Sequence, residues 1–115
     1  MDDRTLLELA AKAAGMNVVD TASPGLRISS DGCCAGYYWN PLTDDGDALR
    51  LAVKMRITPD FNPNASYGVF TGYETVNSGK RGYHSPITEK FGDDDFAATR
   101  RAIVRRAAEI GKAMP

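Results

Sequence analysis

The sequence predicts an α+β fold, three helices packed on a small antiparallel β-sheet, in one domain spanning residues 1–115. Three observations predict it. Apolar residues recur at helical spacing in three separated segments. Between them the periodicity changes to two, in short runs rich in Tyr, Val, Phe and Ile that are bounded by Gly, Asn and Pro. The 115 residues amount to one domain, and 43% apolar with 25% charged residues suits a packed core in water.

The first helix is expected over about Leu6 to Ala14. Thr5 followed by Glu8 reads as a capping box, and Gly15 stands where a left-handed residue ends a helix. Glu8 and Lys12 are spaced i,i+4 in the favourable order, and Leu6, Leu9, Ala10 and Ala13 form the expected buried stripe. The second helix is expected from Asp45 to Arg56. Asn40-Pro41 breaks what precedes it, Thr43, Asp44 and Asp45 offer N-caps, and Asp47 puts a carboxylate in the first turn. Its polar strip is only Asp47, Arg50 and Lys54, against Ala48, Leu49, Leu51, Ala52, Val53 and Met55. So wide an apolar arc predicts a central helix, covered on much of its circumference. The third helix is expected from Asp94 to Ala113, opened by Asp93-Asp94-Asp95, with Phe96, Ile103, Ala107, Ile110 and Met114 as its buried stripe.

Strands are expected at Leu26–Ser29, at the aromatic run Gly36–Trp39, and at Tyr67–Glu74. Asn77-Ser78-Gly79-Lys80 reads as a hairpin turn, with Arg81 to His84 as the returning strand. The segment from Ile57 to Ser66 carries Pro59, Pro63, Asn62 and Asn64 and reads as a loop or irregular edge.

Composition narrows the function. Fourteen Lys and Arg against fifteen Asp and Glu leave a net charge of -1, which removes long-range attraction to nucleic acid or acidic membranes. No apolar run approaches the ~18 residues a membrane helix needs. The acidic start Met1-Asp2-Asp3-Arg4 does not resemble a signal peptide, so a cytoplasmic location and no membrane partner are expected.

The chemistry-bearing residues do not form a recognisable set. Adjacent Cys33 and Cys34 could make a strained vicinal disulfide or a reactive thiol. They are better read as two small buried residues entering a strand, since no Lys, Arg or His lies close in sequence to lower a thiol pKa. His84 is the single histidine. No serine has a nucleophile-elbow context, and Cys33, Cys34 and His84 lack zinc-ligand spacing. Gly79-Lys80 is not a phosphate loop, because Glu74 and Arg81 stand where Gly and Ser or Thr are required. The acids Asp44, Asp45, Asp47 and Asp93–Asp95 stand at helix starts, where carboxylates cap. Accordingly no catalytic residue, metal or cofactor is expected.

The last helix carries Arg100, Arg101, Arg105, Arg106 and Lys112 against Glu109 alone. Arg101, Arg105, Arg106 and Lys112 are candidate nucleic-acid contacts, although a solvated helix face carries the same residues. Arg100 falls close to the apolar stripe and must snorkel or meet a carboxylate. Tyr67, Phe70, Tyr73 and Tyr83 suit base stacking, and equally a sheet core.

Trp39-Asn40-Pro41-Leu42, the segment Asp44 to Ala52, and the run Asp95 to Ile110 together resemble the NinX-related family of small phage and prophage proteins. The resemblance covers about half the chain and omits Ile57 to Phe91. It implies a phage-derived accessory protein made in a bacterial cytosol, and no reaction. The leading expectation is therefore a non-enzymatic protein that binds a host or phage macromolecule. The expected surface is Trp39, Asn40, Tyr67, Tyr73 and Tyr83, because aromatic side chains supply contact area at low entropy cost. Nucleic-acid binding through the last helix is the alternative. An enzyme or small-ligand binder would need Asp44, Asp47, His84 or Cys34 to converge. A homodimer follows if the apolar arc of the second helix is left uncovered within one chain.

Overall fold

The computed structural model describes residues 2–20, 25–29, 37–61, 68–77, 80–83, 87–90 and 92–114. The chain order is α1 (Asp3–Ala13), β1 (Asn17–Asp20), β2 (Leu26–Ser29), β3 (Tyr37–Trp39) and α2 (Asp45–Met55). It continues with β4 (Ile57–Asp60), β5 (Gly68–Asn77), β6 (Lys80–Tyr83), β7 (Ile87–Lys90) and α3 (Asp95–Ala113). The α+β class holds, with three helices and antiparallel pairing throughout the described strands.

The pairing makes two sheets where one was expected. One is β1-β2-β3; the other runs β4-β5-β6, with β7 also on β5. The ten-residue β5 is the shared spine of the second sheet. Asn77 pairs with Lys80, which brackets the expected hairpin turn, whose residues 78–79 lie outside the described ones. From Tyr83 to Ile87 the return path advances four residues while β5 advances three, from Glu74 to Thr71. Ile57–Asp60 is a strand rather than a loop, in register from Ile57 with Tyr73 to Asp60 with Phe70. Pro59 is tolerated there because β4 is an edge and needs no donor on its open side.

Helix ends are set by side chains. Asp2, not Thr5, caps α1: its carboxylate accepts from the Thr5 N–H at 2.9 Å, so the helix starts three residues earlier than the capping box suggested. At the other end Gly15 (φ 71°) donates to the Lys12 carbonyl and Met16 to that of Ala11, the paired bonds of a Schellman stop. Asp44 caps α2 through the Asp47 N–H at 2.8 Å, and Asp94 caps α3 through Phe96 and Ala97. Arg56 ends α2 in the left-handed conformation (φ 57°) and turns the chain directly into β4.

The core joins Leu6, Leu7 and Ala10 of α1, Leu26, Ile28 and Trp39 of the first sheet, Leu51 of α2, and Ile103, Val104 and Ala107 of α3, among others. The central helix is α3, not α2: it packs on α1, α2, β4, β5 and β7. Small residues make this possible. A Cβ on Gly111 would stand 2.0 Å from the Leu9 carbonyl oxygen, so α1 and α3 touch backbone to backbone there. Ala98, Ala102, Ala107 and Ala108 of α3 are buried, whereas Phe96 and Met114 of the expected stripe are exposed. On α1 the buried face is Leu6, Leu7, Ala10, Ala11 and Ala14, with Leu9 and Ala13 only half-buried. It is turned because α1 lies along α3 rather than flat on a sheet.

Candidate functional site

The Trp39-Asn40-Pro41 turn, expected to be part of an interaction surface, belongs to an internal clasp that runs on to Asp47. Trp39 is 2% exposed and anchors the core, so it offers no contact area to a partner; this corrects the expectation. The Asn40 side-chain oxygen accepts from the Leu42 N–H at 3.1 Å, and its carbonyl accepts from Thr43 and Asp44 N–H, closing a turn around buried Pro41. Asp47, also buried, accepts from the Asn40 N–H at 3.0 Å and from Arg50 at 2.7 Å. That bond to Asp47 is the main reason the Arg50 guanidinium holds its proton more tightly than usual. Gly25 (φ 84°) lets the turn approach β2, since a Cβ there would meet Asn40 at 2.9 Å. Asp44 and Asp47 thus cap and brace α2. His84 and Cys34, the other members of the enzyme reading, lie outside the described residues, as do Cys33 and Tyr67. Tyr73 and Tyr83 are placed on β5 and β6, opposite Ile57 and Glu74 respectively. Of the aromatic run, Tyr37 and Tyr38 remain exposed, with the Arg27 guanidinium 5.2 Å from the Tyr38 ring centre.

The basic helix is largely engaged within the chain. Arg100 meets Asp45 at 2.6 Å and donates to the Leu42 carbonyl at 2.9 Å, which ties the clasp to α3 and fulfils the requirement read from its position. Arg101 meets Asp3 at 3.1 Å, and Arg105 pairs with Glu89 of β7. Arg106 is 5% exposed and cannot reach a phosphate, which removes it from the candidate nucleic-acid contacts; burial pushes its guanidinium pKa down, against the pull of Glu109. Lys112 is exposed. Glu89, Arg101, Arg105 and Glu109 line one recess, two cations against two carboxylates, so its local charge does not favour an anion.

The exposed apolar surface lies elsewhere. Leu49 (64%) and Val53 (61%) of α2, Phe61 (54%) at the end of β4 and Phe96 (69%) in the first turn of α3 are all more than half exposed. A cavity of about 440 Å³ opens among Leu49, Pro59, Phe61, Phe96 and Ile103, rimmed by the Asp45–Arg100 ion pair. A second opening of about 410 Å³ shares Leu49, Pro59 and Ile103 and runs on past Val53 and Arg56, so the two make one groove. Nothing in its described walls is a nucleophile paired with a base. Among the described residues no three His, Cys, Asp or Glu side chains gather as metal ligands would, and no helix is long and apolar enough to cross a membrane.

No sequence motif marks this groove. The width of the α2 arc carried part of the signal. Phe61 had another: it is an aromatic stranded in a segment of Pro, Asn and Asp. No family model, curated protein or solved structure matches the chain.

Proposed function

We propose that this chain is a non-enzymatic accessory protein that binds another protein through the groove formed by α2, β4 and α3. The observation that carries the reading is the grouping of Leu49, Val53, Phe61 and Phe96, four large apolar side chains each more than half exposed, along one continuous groove. Scattered exposed apolar residues need no explanation, but a contiguous apolar groove with a charged rim is what a protein interface looks like before it closes. The phage or prophage setting, and with it the bacterial cytoplasm, rests on the resemblance at Trp39–Ala52 and Asp95–Ile110.

Nucleic-acid binding through α3 ranks below this. Arg101 and Arg105 already face carboxylates, and Arg106 is buried. A phosphate would have to displace those acids, and counterion release would be correspondingly small.

A photo-crosslinking side chain placed at Phe96 or at Leu49 tests the reading. Either position is expected to trap a protein adduct, while the same group at Lys54, exposed on the other side of α2, traps none. Absence of any adduct from both groove positions in a folded protein would overturn it.

A further inference from the structure

The outward face of α2 is complementary to its own reversal. At about 100° per residue, Asp45, Leu49 and Val53 fall within an arc of about 80°, and Arg56, the left-handed residue that ends α2, lines the same opening as Leu49 and Val53. All four are exposed. The stripe reads acid, apolar, apolar, base from the N-terminal to the C-terminal end. Asp45 accepts from Arg100 at Oδ1, and its side chain is still 68% exposed.

We propose that the groove is filled by a second copy of this chain, with the two α2 helices antiparallel across a two-fold axis at the level of Leu51. This rests on the protein-docking reading above and names its partner. One axis satisfies both kinds of contact at once: Leu49 faces the partner's Val53, and Asp45 faces the partner's Arg56. Each contact occurs twice, as two-fold symmetry requires. A parallel alignment would instead set Asp45 against the partner's Asp45 and Arg56 against the partner's Arg56. Phe61 and Phe96 flank the stripe and widen the apolar centre, while the two ion pairs sit at the rim. There they choose orientation more than they add affinity. One eleven-residue helix with two flanking aromatics is a small contact beside the ~800 Å² per partner that stable complexes bury, so a weak, reversible dimer is expected.

Sedimentation equilibrium from about 5 to about 500 µM reads the outcome on the scale of a micromolar dissociation constant. A reversible monomer–dimer equilibrium is expected. Leu49→Asp is expected to be monomeric throughout, and to melt as the native chain does at concentrations where that chain is monomeric. Asp45→Arg and Arg56→Asp each replace two attractions by two repulsions and are expected to weaken the dimer about tenfold. The double variant Asp45→Arg/Arg56→Asp is expected to dimerise more tightly than either single one. Asp45→Arg also breaks the Arg100 contact and puts a cation at a helix N-terminus. The double variant keeps both of those costs, so its recovery reads the intermolecular pair alone. A monomer at the highest concentration, a dimer indifferent to Leu49→Asp, or a double variant weaker than both singles would each overturn self-association. Crosslinked adducts separate the two readings: an adduct of twice the chain mass supports the dimer. An adduct of any other mass from a monomeric chain overturns the dimer and leaves the docking reading standing.

Discussion

Helices α2 and α3 invert what their compositions suggest. With its wide apolar arc, α2 leaves Leu49 and Val53 more than 60% exposed, whereas α3, carrying four arginines and a lysine, is enclosed to the point that Arg106 is 5% exposed. Enclosure follows how closely a helix can be approached, not how greasy it is. Ala and Gly along α3 let α1 come to backbone contact at Gly111 and let α2 and the second sheet cover other sides. Three arginines of α3, Arg100, Arg101 and Arg105, reach outward to Asp45, Asp3 and Glu89, acids supplied by the elements that cover the helix. On α2 one side is used by the clasp and the core, and the bulky Leu49 and Val53 project past the neighbouring elements.

If this contrast is right, substitutions should fall in a steep order. Gly111→Val should hurt most: two helix backbones would have to part, and overpacking a seam costs about 1–3 kcal/mol or more. Urea unfolding reads this loss, and a change below about 0.5 kcal/mol would show that the seam yields freely and break the comparison. On the inner side of α2, Asp47→Ala removes a buried acceptor from the Asn40 N–H and from Arg50, with an expected loss of about 2 kcal/mol by the same measurement. On its outer side, Leu49→Asp should change monomer stability by no more than about 0.5 kcal/mol, since the side chain is 64% exposed. A large loss there would mean that the outer face is structural after all.

The smallest effect is a pH dependence at α1. Hydrogen bonds from Thr5 hold the Asp2 carboxyl below its ordinary pKa. The unfolded chain therefore takes up this proton first on acidification. The cap contributes fully above the ordinary carboxylate pKa and is lost as pH falls through the lower folded value. The stability gap between the native chain and Asp2→Ala should accordingly narrow in thermal melts as pH falls below the ordinary carboxylate range. A gap that stays constant would show that Asp2 caps without its charge.

Elements with strong local signals were legible. The acids before α2 and α3 do cap, Gly15 does end α1, and Arg100 does meet a carboxylate, one of the two outcomes its position allowed. Elements whose signals are pairwise were not. The strand β4 carries Pro59 and shows itself only beside β5, and β1 (Asn-Val-Val-Asp) and β7 (Ile-Thr-Glu-Lys) have neither the alternation of β2 nor the aromatic run of β3. The Trp39 turn misled for a related reason. A Trp beside Asn-Pro suits an exposed anchor and a buried one equally, and burial depends on Leu26 across the strand pair and on the close approach of Gly25.

By itself the sequence determined the α+β class, the three helices to within a few residues, and the ionic character of α3, because capping, periodicity and charge act within one turn of the chain. Packing between distant segments settles which helix is central, that Trp39 is core, and that Leu49, Val53, Phe61 and Phe96 share a groove. Those outcomes depend on which surfaces meet across tens of residues, where a missing Cβ at Gly111 and a carboxylate at Asp45 count for more than the hydropathy of any one segment.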